Sequence, residues 1–430
     1  MTIHAKDERM LTQSLNRHVE CSFLDVQTLV ERIALTKPLK VAAEALSVTH
    51  PHLFSPSPVF ISRDDVATIE ALVATIESVA ASTPYRDHVL AGVPEIARFE
   101  PGAKGVFFGY DFHLSNDGPR LIEINTNAGG AYLNWALLEA QKACCDEALL
   151  LMGEPLPNAH LPATWHEMFR AELGRDPAHI AIVDEHPERQ YLYPEFLIAQ
   201  AMETMAGTRV SIVDPSELTW TGETLLAEGA PVDLVYNRLT DFYFEQPAHV
   251  ALKAAYLSGK VVVTPHPRAH VLFANKANLA ILSDRAMLAH LGVSAGDAEV
   301  LLRSIPSTQR VKPETAGRLW AERKHLFFKP VNGFGSRAAY RGDKITSRVW
   351  QEIVAHDYVA QEIVRPPERV VRWEAGAPHL KFDLRAYSYA GRVQLFAARL
   401  YDGQTTNFRT EGGGFAPVFL TPGRGGQLFG

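Results

Sequence analysis

A mixed α/β (α+β) fold is what this sequence predicts, and three observations carry the prediction. Between residues 180 and 264, short apolar runs such as HIAIVDE and KVVVTP alternate with helical stretches, the pattern of a parallel sheet. From about Leu326 the chain is rich in strands: HLFFKP, RAAYRG, DYVAQEIV, FDLRAYSYA and RVQLFAARLY. Residues 1 to about 95 read instead as helical.

The elements follow in order. Asp64 to Ser82 is the clearest helix, with Val66, Ile69, Leu72, Val73, Ile76 and Val79 on one face and two aspartates in its first turn. A β-hairpin is expected over about Val106 to Asn125, then a helix from about Leu133 to Met152. Gly153 to Trp165 carries three prolines and reads as a connector. HIAIVDE, RVSIVDP, DLVYNR and KVVVTP then read as strands. Helices lie between them at PEFLIAQAMETMAG and about Pro247 to Leu257. No internal repeat is visible.

Composition narrows the function classes. At ~150 residues per domain, 430 residues suit about three domains, and 47% hydrophobic with 21% charged residues is ordinary for a globular chain. Glycine (29) and proline (27) are too few for collagen-like or low-complexity sequence. A net charge of −7 and a pI near 6.2 argue against a broad basic surface for nucleic acid, but allow a local anion pocket. The cysteines, Cys21, Cys144 and Cys145, are sparse and odd in number, which suits a reducing compartment. The first residues lack the apolar core of a signal peptide, and no run of ~18 apolar residues occurs. The expectation is a cytoplasmic protein with no membrane span.

Three constellations could carry chemistry. In GYDFHLSNDGPRLIEINTNAGG, a three-residue loop Asn116–Gly118 with Gly118 left-handed would set Ser115 against Pro119. That register places Asp111 opposite Glu123, with Asn125 on the same face and no cation nearby. Hard oxygen donors of this kind suit Mg²⁺; a solvated hairpin is the plain alternative. In HLFFKPVNGFGSRAAYRG, a strand delivers Lys329 ahead of a loop with Gly333, Gly335 and Ser336. Backbone N–H groups of such a loop can approach phosphate closely, although the order is not that of a P-loop and a simple turn would look similar. In KFDLRAYSYAGRVQLFAARLYDGQTTNFRTEGGG, Asp383, Arg385 and Tyr387 share a strand face; Arg399, Asn407 and Gly412 to Gly414 follow. Arginines converging there would suit a phosphoryl group, and structural ion pairs would account for them equally well.

Together these residues resemble the ATP-grasp superfamily, the fold of glutathione synthetase and D-alanine ligases. The resemblance implies a triphosphate site with ATP held by Lys329, the Gly333–Ser336 loop and a second lysine, Lys276. It makes Tyr358 to Val364 the adenine hinge, with Gln361, Glu362 and Val364 in it, and Glu368 the partner of the ribose hydroxyls. Asp111, Glu123 and Asn125 match the family's magnesium ligands. Arg385, Arg399 and Asn407, with Gly412 and Gly413, match its acyl-phosphate pocket, and KFDLRAY is also similar to a strand of tubulin–tyrosine ligase-like enzymes. One difference is that the position two before Asp111, an arginine in D-alanine ligases, is Gly109 here.

The order of the motifs departs from the usual one. In the family the magnesium hairpin follows the Asn…Gly-Gly loop, whereas here it precedes everything else and no second E-x-N occurs after Gly413. The sequence therefore resembles circularly permuted ATP-grasp ligases of the glutathionylspermidine synthetase type. The implied organisation is a helical N-terminal segment (1–95) and a permuted part with the magnesium hairpin (96–165). A parallel-sheet pre-ATP-grasp domain (166–270), a nucleotide-binding subdomain (271–365) and the rest of the C-terminal subdomain (366–430) follow. The implied activity is ATP-dependent joining of a small-molecule or peptide carboxylate to an amine through an acyl phosphate. A small-molecule kinase and a non-catalytic nucleotide-binding module are the alternatives. No H-E-x-x-H occurs, so zinc-protease chemistry is unsupported. Nothing in the sequence indicates the oligomeric state.

Overall fold

The structure is a computed structural model that describes residues 3–18, 31, 50, 52–142, 161–333, 338–371 and 379–421. Cys21, Cys144 and Cys145 lie outside these residues, as do Gly335 and Ser336, most of the proline-rich connector and the expected helix beyond Lys142.

Helix α1 (Ile3–His18) anchors through Arg9, whose Nη2 lies 2.7 Å from both Asp64 Oδ2 and Asp65 Oδ1. Within the stretch expected to be helical, Val59–Ile61 is a strand, β1, because its three buried apolar residues complete a parallel pair with residues 418–420. Helix α2 (Arg63–Ala81) begins where Ser62 Oγ accepts from the Asp65 N–H at 3.1 Å. Strands β2 (Phe108–Ser115) and β3 (Gly118–Asn125) form the hairpin, followed by α3 (Ala131–Lys142). Helix α4 (Leu161–Leu173) begins inside the expected connector. Pro162 lies in its first turn, where a missing N–H breaks no helical bond.

Strands β4 (His179–Val183), β5 (Arg209–Val213), β6 (Leu234–Asn237) and β7 (Val262–Thr264) form the expected parallel sheet, in the order β7-β6-β4-β5. Their apolar runs are continuous because both faces are covered. Ile180, Ile182, Leu234 and Tyr236 pack with α4 and with Phe196 and Ala199. Ala181, Val183, Val235 and Val263 pack with Leu252, Ala255 and Tyr256 on the other side. A small three-stranded sheet over residues 219–231 was not anticipated.

A second, antiparallel sheet has the order β8-β11-β9-β10, from β8 (Thr308–Arg310), β9 (Leu326–Pro330), β10 (Tyr340–Arg341) and β11 (Tyr358–Glu362). The expected strand RAAYRG is reduced to Tyr340–Arg341. The third and largest sheet joins distant parts of the chain. Strands β12 (Glu368–Val370), β13 (His379–Tyr389), β14 (Arg392–Tyr401) and β15 (Gly414–Ala416) come from the C-terminal region. They combine with the early hairpin in the order β15-β14-β13-β2-β3, with β12 beside the start of β13.

Alternation divides this sheet cleanly. Tyr110, Phe112, Leu384, Phe396, Ala398 and Leu400 enter one core with Ile69, Leu72 and Ile76 of α2. The intervening residues, among them Asp111, Asp383 and Arg399, point to the opposite face, which walls a cleft. The glycine run after β14 serves packing: Gly414 has φ +106°, and a Cβ there would lie 2.5 Å from the carbonyl oxygens of His52 and Leu53.

Candidate functional site

The hairpin turn differs from expectation, yet the acids still meet. Asn116 and Asp117 form a two-residue loop with Ser115 opposite Gly118, so the register begins one residue out of step. A bulge at Ile122 restores the step, and Asp111 faces Glu123. Asn125 projects beside them, its Nδ2 donating to Asp111 Oδ2 at 3.1 Å and to Glu123 Oε1 at 3.3 Å. The bulge also turns the Ile122 carbonyl toward the second sheet, where Lys329 Nζ donates to it at 2.9 Å.

The hairpin alone offers no counter-charge, but the neighbouring strands do, and this corrects the sequence reading. Register places Arg385 opposite Asp111 and Arg399 opposite Asp383. Arg385 grips Asp111 with two bonds, Nε to Oδ1 at 2.6 Å and Nη2 to Oδ2 at 2.7 Å, and its Nη1 donates to the Gly129 carbonyl. Arg399 spans two acids, Nε to Asp383 Oδ1 at 2.7 Å and Nη2 to Asp111 Oδ2 at 2.8 Å. Gly109 lies under Arg385: a Cβ there would be 3.0 Å from the guanidinium Nε and 2.6 Å from Ala128 Cβ. The space left by the missing side chain at position 109 is therefore filled from β13.

Two lysines complete the cleft. Lys329, buried on β9, also donates to Gln361 Oε1 at 2.9 Å. Burial brings its ammonium down to about 8, even with the Glu123 carboxylate nearby. Lys276 directly precedes the short helix Ala277–Leu282; its Nζ donates to the Gly333 carbonyl at 2.7 Å and lies 3.8 Å from Glu123 Oε2. Burial opposes ionisation of Glu123, but Lys276 and Lys329 outweigh it and hold the carboxyl below the usual glutamate range.

Of the expected hinge residues, Gln361, Glu362 and Val364 line the cleft, as does Gly333. Gln361 is locked between Lys329 and Thr308 Oγ1, and Glu362 approaches Arg120 at 3.7 Å. Two expected residues are placed elsewhere. Glu368 begins β12, whose pairing with Lys381 carries it out to a neighbouring groove beside α1. Asn407 turns into its own loop, its Nδ2 donating to the Asp402 carbonyl and its Oδ1 accepting from Arg409 N–H and Thr410 Oγ1. The cleft is lined there by Gln404, Thr405 and Thr406 instead, and Thr406 Oγ1 donates to Asp383 Oδ2. His113 was also missed, although strand alternation puts it on the face of Asp111; its Nδ1 donates to the Val364 carbonyl at 2.8 Å and ties hairpin to hinge.

No family model matches the sequence, and no curated protein does. Solved structures do resemble it. A glutathione synthetase-like effector from Globodera pallida, in its apo form, superposes with a TM-score of 0.54 at 12% identity, over 93% of this chain and 98% of that one. A putative gamma-glutamylcysteine synthetase from Methylobacillus flagellatus gives 0.43 at 10% identity, over 81% and 85% of the two chains. The ATP-grasp ligase PsnB with a minimal precursor gives 0.29 at 14% identity, over 57% and 89%. The chain thus shares the overall fold of the glutathione synthetase-like effector.

Proposed function

We propose that the protein is an ATP-dependent carboxylate–amine ligase acting through an acyl phosphate. The observation that carries this reading is one cleft where Lys276, Lys329, Glu123 and Arg399 converge, drawn from both ends of the chain. We read the chain as circularly permuted: 96–165 and 366–430 would build one subdomain, with 271–365 binding nucleotide, 166–270 the pre-ATP-grasp domain and 1–95 an added segment. The pairing of β2 with β13 supports this order.

The donor set fits Mg²⁺. Asp111 and Glu123 present carboxylate oxygens on one face, and Asn125, which donates its Nδ2 to both, would offer its Oδ1 after an amide flip. Among the described residues Glu123 accepts no hydrogen bond shorter than the 3.3 Å contact to Asn125. Bound there, Mg²⁺ would neutralise charge on the β- and γ-phosphates. Lys276, Lys329 and the loop from Gly333 through Gly335 and Ser336 would hold the triphosphate, and Gln361, Glu362 and Val364 would frame the base. Arg399 would stabilise the transferred phosphoryl group and then the oxyanion formed as an amine attacks. Arg385, with its donors committed to Asp111 and Gly129, acts as a positioning residue.

The reaction class is tested by ADP release over a panel of carboxylates, with hydroxylamine as the amine. A hydroxamate is the expected product. A stable phosphorylated product formed without amine would make the protein a kinase, and no turnover with any acid would favour a binding module.

The Lys329 ammonium gives a second test. A triphosphate beside it raises its affinity for a proton, so binding takes one up wherever the free lysine has lost it. Affinity for ATP should therefore be level below pH ~8 and fall above it, by up to about tenfold per unit. Calorimetric titration across that range should show the fall, and Lys329→Met should flatten it. A pH-independent wild-type affinity would remove Lys329 from the phosphate site.

A further inference from the structure

One oxygen in the cleft is over-subscribed. Asp111 Oδ2 accepts from Arg385 Nη2 at 2.7 Å, Arg399 Nη2 at 2.8 Å and Asn125 Nδ2 at 3.1 Å. A carboxylate oxygen offers two lone pairs, so a cation that takes one leaves room for only one of the three donors. Asn125, neutral and most distant, gives way first, and one arginine must follow. Arg385 is the least free to leave, because it also holds Asp111 Oδ1 at 2.6 Å and the Gly129 carbonyl at 3.3 Å. Arg399 holds Asp111 by one bond, and its Nε is fixed separately to Asp383 Oδ1 at 2.7 Å. It also lines the cleft, whereas Arg385 is not among the residues that do.

We infer that Arg399 is a stand-in counter-ion for a divalent cation at Asp111. When a cation takes Asp111 Oδ2, the Nη2 end of Arg399 is released and the guanidinium pivots on its bond to Asp383 into the cleft. Asp383 is a suitable pivot because its other oxygen is held by Thr406 Oγ1, on the loop that lines the same cleft. Metal loading and presentation of a positive charge to a phosphoryl group are then one event, and each favours the other. The inference rests on the metal assignment of the proposed function and is independent of its reaction class.

The test is Mn²⁺ binding to the full chain without nucleotide, followed by electron paramagnetic resonance. Arg399→Gln removes the competing charge and should tighten Mn²⁺ binding roughly tenfold, the equivalent of one charge-assisted hydrogen bond. Arg399→Lys keeps a cation in place and should stay close to wild type. A folded Arg399→Gln protein that binds Mn²⁺ no tighter than wild type overturns the inference, and so does equal tightening in both variants. Failure of Mn²⁺ to bind any of the three overturns the metal assignment with it. The expected Mn²⁺ pattern in a protein that never turns over ATP would leave the exchange standing and remove the ligase reading.

Discussion

Glu123→Gln should leave the protein folded and lower Mg²⁺-dependent ATP turnover at least about 100-fold, the scale of losing one preorganised charge at a reacting centre. The fold should survive because Glu123 supports little else: among the described residues its side-chain polar partners are Asn125 at 3.3 Å and Lys276 at 3.8 Å. The amide keeps the shape but removes the negative charge that both a divalent cation and the two lysines face. ADP release at high Mg²⁺, read beside a thermal melt, separates the two effects. An unchanged turnover rate would show that Glu123 is no metal ligand.

Arg385→Ala should act in the opposite manner, on stability first. It strips the two-bond partner from Asp111, whose side chain is 3% exposed, and leaves the Gly129 carbonyl without that donor. Breaking a buried pair from one side costs about 3–5 kcal/mol when the charge is left alone. Arg399, still 2.8 Å from Asp111 Oδ2, holds the loss to the lower end of that range. Urea denaturation should show a loss of that size. A loss below ~1 kcal/mol would mean that the pair contributes no more than a surface contact and that Arg385 is free for another role.

The sequence was most readable where the chemistry follows the period of a strand. Glu123 and Asn125 could be placed on one face because alternation fixes it, and the four parallel strands because buried runs lack alternation; Asp111 joins them through two register steps that cancel. What escaped depends on partners far along the chain. The turn was misread by one residue, and nothing local announces that a bulge at Ile122 compensates. The hairpin seemed to lack cations because its arginines arrive on β13 and β14. Glu368 was placed by its offset from the hinge and Asn407 as the Asn ahead of a Gly-Gly pair, but order along a chain says little once Pro366 and Pro367 or an irregular polar loop intervenes.

The seam between β2 and β13 also dictates an order of manufacture. Asp111 leaves the ribosome 274 residues before Arg385, a delay on the order of half a minute at ordinary elongation rates. Throughout that interval the hairpin has one edge unpaired and an aspartate with no arginine beside it. A nascent chain stopped between residues 125 and 379 holds Asp111, Glu123 and Asn125 and neither guanidinium. Such a fragment has no means of sealing its sheet and is a natural client for a chaperone, so the yield of intact protein should depend on what guards the hairpin while the last strands are made.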